Sequence, residues 1–207
     1  MKKKQLTVAS VLLLLLVPVL LSAQSGMKKY SNEEYKLQFS YPSAWTVVDD
    51  TDGIYILSSP DLEDQLGADF PELRQGDVIV NVAALPTIMF QFMGIEADSV
   101  EGQVEAMFDQ MVQQGLGEAE NVSQETATSD SGTRVSSVAF DAVEESGGEM
   151  QTMSGVFLGM ADEEKGVFGF GMALGERPTL DRERRALVNT IGSLVYTGTQ
   201  EDLLGGN

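Results

Sequence analysis

Between Tyr35 and Tyr41 the chain alternates strictly. Tyr35, Leu37, Phe39 and Tyr41 fall on one face, and Lys36, Gln38 and Ser40 on the other. A period of two is that of a strand half buried on a core. Pro42 ends the run and opens a turn. Trp45 to Val48 reads as a short strand, Asp49 to Gly53 as a turn, and Ile54 to Leu57 as the next strand. Leu62 to Gly76 reads as an acidic loop, and Asp77 to Leu85, with Val78, Ile79, Val80 and Val82, as a strong strand stopped by Pro86.

The period then changes. Asp98-Ser99-Val100-Glu101 resembles a capping box with Asp98 at the cap. Beyond it Val100, Val104, Met107, Phe108, Met111 and Val112 recur at helical spacing, which predicts a helix to about Gln114, stopped by Gly115 and Gly117. Strands follow at 121–128, 134–143, 150–160 and 167–174, separated by turn-forming clusters, the pattern of consecutive antiparallel hairpins. A last helix is predicted from about Thr179 to Tyr196, with Leu180, Leu187, Val188, Ile191, Leu194 and Val195 on its apolar stripe. Gly198 to Asn207 reads as a loose tail. The sum is an α+β domain, one antiparallel sheet whose faces must cover the two helix stripes.

Residues 1–25 are of another kind. Lys2, Lys3 and Lys4 precede an apolar run from Leu6 to Leu21, and Ala23-Gln24-Ser25 fits a small-x-small cleavage site. This is the pattern of an export signal cut near Ser25. The alternative is an uncleaved N-terminal anchor, for which the run is short, since a span needs about 20 apolar residues. The domain is then expected at 26–197, secreted or held outside the membrane. Losing three lysines makes it more acidic than the −19 of the whole chain. Such a surface repels nucleic acid, and its one basic cluster, Arg182, Arg184 and Arg185, is interleaved with acids. With no Cys and no His, a Ser-His-Asp triad, a Cys-His pair and any His- or Cys-ligated zinc site are impossible.

The run Tyr35-Lys-Leu-Gln-Phe-Ser-Tyr-Pro-Ser-Ala-Trp45 and the closing amphipathic helix resemble the PsbP-like (Mog1/PsbP/DcrB-like) superfamily. The resemblance implies an antiparallel sheet sandwiched by helices (α/β/α) and a non-enzymatic accessory or binding role. Only Tyr41, Pro42 and Trp45 carry over, as structural residues. Metal sites that involve histidine in photosystem-type members cannot transfer to a chain without histidine.

Four segments invite chemistry. Asp49, Asp50 and Asp52 before Gly53 offer oxygen ligands for calcium, yet Val48 and Ser59 fail the EF-hand positions, and an acidic hairpin turn is the plainer reading. Gly166 to Gly175 contains a Gly-x-Gly-x-x-x-Gly spacing, but inside a strand pattern, where glycine marks close backbone approach rather than a phosphate loop. Glu144, Glu145 and Glu149, or Asp162, Glu163 and Glu164, could supply a glycosidase pair, but they sit in predicted turns open to water. Ile88-Met89-Phe90-Gln91-Phe92-Met93 is apolar where a loop is expected, so it is either tucked into the core or a surface that meets a partner. Met89, Phe90, Phe92 and Met93 are the candidate contact residues. Asn121-Val122-Ser123 also matches the glycosylation sequon. The expected function is a non-catalytic binding or accessory module of the cell envelope, its partner a protein or a small ligand. The alternatives are an acidic accessory protein for divalent cations and a carboxylate-dependent hydrolase.

Overall fold

Each expected strand and helix has a counterpart in a computed structural model, which describes residues 26–50, 53–67, 71–95, 97–116, 118–146, 149–199 and 202. The proposed export signal and its cleavage site, 1–25, lie outside the described residues, as do Asp52 and most of the C-terminal tail. Ten strands and three α-helices follow in the order β1 (Met27–Asn32), β2 (Leu37–Pro42), β3 (Thr46–Asp50), β4 (Gly53–Leu57), β5 (Val78–Pro86), α1 (Ile88–Phe92), α2 (Val100–Met111), β6 (Glu118–Thr128), β7 (Arg134–Ser146), β8 (Glu149–Asp162), β9 (Val167–Gly175), α3 (Arg177–Gly192) and β10 (Val195–Tyr196). The acidic loop includes a 3-10 turn, Pro60–Gln65, whose cap is Ser59, and α2 runs on into a π turn, Val112–Leu116.

The main sheet has seven strands in the order β3-β4-β5-β9-β8-β7-β6, and its pairings are antiparallel. Alternation along the strands sorts its side chains into two layers. Val135, Ala139, Val156, Leu158 and Ala173 join Leu180, Leu187 and Ile191 of α3 on one face. Val138, Phe140, Phe157 and Phe168 join Phe90 of α1 and Val104 and Phe108 of α2 on the other. On that second face Leu57 and Ile79 are covered by Leu62 of the 3-10 turn. The α/β/α layering implied by the opening resemblance is therefore present.

Glycine makes both interfaces close. A Cβ on Gly171 of β9 would lie 2.6 Å from Ile191 Cδ1, and one on Gly159 of β8 2.3 Å from Phe168 Cζ. The glycine run of β9 is thus a landing strip for α3, as its strand pattern indicated.

Three details depart from expectation. The sheet is not alone: β2 pairs with β1 on one side and β10 on the other, a small three-stranded sheet packed over α3's side of the core. The closing helix ends at Gly192 rather than Tyr196, because Val195 and Tyr196 leave it to pair with Gln38 and Leu37. The cap of α2 is Ser99, whose Oγ accepts from the Gly102 N–H at 3.2 Å, not Asp98. Trp45 is buried, as its place beside the Pro42 turn suggested, and its N–H donates to the Pro42 carbonyl at 2.9 Å.

Candidate functional site

Five residues after the Pro86 break form a single helical turn, α1. Its start is tied to the β8–β9 turn: the Thr87 N–H donates to the Gly166 carbonyl at 2.9 Å, and Thr87 Oγ1 to the same oxygen at 3.2 Å. Its end is closed by the Ile95 N–H donating to the Phe90 carbonyl at 2.8 Å, with Gly94 at φ +73° allowing the reversal. Phe90 points inward, 4% exposed, and meets Phe168 edge-on at a centroid distance of 5.1 Å. Met93 packs at the rim of the same cluster, and Met89 is half-buried. Phe92, by contrast, is 74% exposed and Ile88 43%.

The two readings of 88–93 therefore divide by residue. Phe90 is core. Phe92 and Ile88 are an apolar knob on a turn that Phe90 and Thr87 hold in place. The hexapeptide's pattern could not separate them, because one helical turn is too short to show a period. Ile88, which lies outside the expected contact set of Met89, Phe90, Phe92 and Met93, is exposed as well.

Of the proposed calcium ligands, Asp49 and Asp50 stand at the end of β3. Both oxygens of Asp49 are taken: Tyr30 Oη donates to Oδ1, and Asn32 Nδ2 donates to Oδ2 at 3.2 Å. Burial first, and then the bond to Asp49, push the Tyr30 hydroxyl up to about 12. Tyr35 Oη donates to the Asp50 carbonyl at 2.9 Å. Among the described residues no three Asp or Glu side chains gather as a metal-binding group.

Of the acidic turns, Asp162 accepts the Lys165 N–H at 3.2 Å and Glu163 and Glu164 are exposed. The side chains of Glu144, Glu145 and Glu149 lie outside the described part. The basic cluster is spent on ion pairs, Arg182 with Glu183, Arg184 with Glu125 and Arg185 with Asp130. No described helix is long and apolar enough to cross a membrane.

Two features lay beyond the sequence pattern. One is a carboxylate hub. Asp141 of β7 accepts from Ser154 Oγ of β8 at 2.6 Å, from Arg177 Nη2 at the start of α3 at 2.8 Å and from Asn121 Nδ2 of β6 at 2.8 Å. Burial alone would raise its pKa, but Ser154, Asn121 and Arg177 outweigh it and the carboxyl is held below the usual range. The sequon asparagine is thus engaged through its amide nitrogen. The other is a cavity of about 850 Å³ beside the hub, reached by Asp61, Glu72, Arg74, Met153 and Arg177. These residues lie far apart in sequence, so no spacing announces either feature.

No protein-family model matches the chain, and no curated protein matches it in sequence. Among solved structures it is similar to cyanobacterial PsbP from Synechocystis, at 13% identity over 83% of this chain and 93% of that one, with a TM-score of 0.44. It is also similar to the Saccharomyces cerevisiae Ran-binding protein Mog1p, at 10% identity over 84% and 96%, with a TM-score of 0.48. A third is LpqN, involved in cell envelope biogenesis of Mycobacterium tuberculosis, at 10% identity over 78% and 83%, with a TM-score of 0.43. These are likenesses of fold alone.

Proposed function

We propose that the chain is an exported, non-catalytic binding module of the cell envelope, and that it meets its partner through Ile88 and Phe92 of α1. The observation that carries the reading is the pairing of a buried Phe90 with a Phe92 that is 74% exposed on the same turn. An aromatic ring in water forfeits roughly 1.5–3 kcal/mol of burial. A rigid mount lets a partner recover that gain without first ordering the turn.

Chemistry supports the non-catalytic side. A general acid at neutral pH needs a carboxyl pushed up toward the working pH. The described carboxyls that shift, Glu101, Asp141 and Asp202, all shift down. Export rests on the Lys2–Ser25 pattern.

The test is a photo-crosslinking residue placed at position 92 in the chain expressed in its own cells, with position 164 as an exposed control. One discrete adduct from 92, absent from 164 and lost with Ile88→Ser, is the expected result. No adduct at 92, or the same adduct from both positions, refutes the reading.

A further inference from the structure

We propose that the free edge of β6 accepts an extended, lysine- or arginine-bearing segment of a partner polypeptide as an added strand. This surface is separate from α1 and does not depend on it.

β6 is the last strand of the seven, and among the described residues it pairs only with β7. It is eleven residues long, about 37 Å at the usual rise. Ten of the eleven are exposed, so water reaches its outer side along the whole length. A strand in this position presents unmade N–H and C=O groups, which proteins normally blunt with bulges, prolines, lysines or a covering loop. β6 has a bulge between Glu120 and Ser123, with Asn121 at φ +50°. Past it, Ser123 to Thr128 keeps an unbroken register with β7 and contains no proline and no lysine. Its one charge, Glu125, is occupied by Arg184 at 2.9 Å.

The opposite edge is treated differently. β3 is five residues long, Tyr35 occupies its Asp50 carbonyl, and Tyr30 and Asn32 hold Asp49. Among the described residues, one edge of the sheet is guarded along its length and the other is bulged only before Ser123.

Charge selects the occupant. Glu118 and Glu120 are exposed at the start of β6, on a chain of net charge −19. A second copy would bring two such rows together along one ladder, and like charges across a strand pair are unfavourable. A basic segment gains from the same row and is steered to it. Main-chain bonds would supply the fit and the glutamates the preference.

The probe is a nine-residue peptide of alternating lysine and valine, added to the exported chain. Hydrogen–deuterium exchange is read over 118–128 with and without it. Two control peptides accompany it, one with glutamate for lysine and one N-methylated at alternate positions, which keeps the charge and removes the strand-forming donors. Slower exchange at 123–128 with the lysine peptide alone is expected. Glu118→Gln with Glu120→Gln, both exposed, should weaken that binding roughly threefold to tenfold. Equal protection by either control peptide overturns the proposal. So does protection confined to α1, or a chain that self-associates with 123–128 already protected.

Discussion

Replacing Asp141 with alanine removes the acceptor for three donors at once, each from a different element: Asn121 on β6, Ser154 on β8 and Arg177 at the start of α3. A hydrogen bond to a charged group contributes about 1.5–3 kcal/mol when its loss leaves the donor dry. The side chains of Asp141 and Arg177 are 15% and 27% exposed, so water replaces part of what is lost, to Arg177 most of all. A fully buried pair broken on one side costs about 3–5 kcal/mol. Allowing for the partial exposure, the variant should lose about 2–4 kcal/mol. For a domain of this size that is a drop of about 5–15 °C in Tm by calorimetry. The loss has a signature in pH. The folded carboxyl sits below its ordinary value. Its contribution is therefore complete above the unfolded value of about 3.9 and fades as the pH falls through the folded one. The gap between wild type and Asp141→Ala, read by urea unfolding, should be constant from pH 7 to 5 and narrow as the pH falls below about 3.9. A Tm change under about 2 °C, or a gap that does not narrow as the pH falls below about 3.9, would refute the account of the hub. So would a cycle with Arg177→Ala that shows no coupling.

Four other expectations follow from the geometry. Gly159→Ala places a methyl 2.3 Å from Phe168 Cζ and 2.6 Å from Val104 Cγ2, so it should cost about 1–3 kcal/mol in urea unfolding although alanine is the better strand former. Phe90→Ser should cost about 3–5 kcal/mol while Phe92→Ser stays within about 0.5 kcal/mol, read as paired thermal melts. Absorbance titration should show one tyrosine, absent in Tyr30→Phe, that ionises near 12; as its folded value is raised, its stabilising share is whole below about 10 and is lost as pH climbs through 12. Millimolar calcium should move Tm by less than about 1 °C, because both Asp49 oxygens already have donors.

What was legible in the sequence was short-range pattern. Tyr35–Tyr41 announces itself because apolar residues keep to one face and polar ones to the other, the strands 134–143 and 167–174 because turn-forming clusters bound them, and α2 because its stripe persists over three turns. The β9 glycines were readable as close approach because Phe168, Phe170 and Met172 alternate with them. Where the signal failed, it was too short or too remote. Val195 and Tyr196 continue the apolar stripe of α3 in register, so nothing local says that they leave it; only the waiting edge of β2 does. Ser99 and Asp98 are both good caps, and the choice falls to backbone geometry. Asn121, Asp141, Ser154 and Arg177 share no spacing, since their meeting is a product of sheet register. The edge exposure of β6 was likewise invisible, because strand order is set by the whole fold.

The small sheet also sets a timetable. Val195 and Tyr196 pair with Gln38 and Leu37, and the Thr197 N–H donates to the Lys36 carbonyl at 2.7 Å, so the first and last parts of the domain are stitched side by side. A ribosome or a translocation channel releases residue 36 long before residue 197. Until then Leu37 and Phe39 have no lid, and contacts of such long sequence separation form slowly. Closure of this corner therefore waits on residues 195–197, whichever route the chain takes from the ribosome.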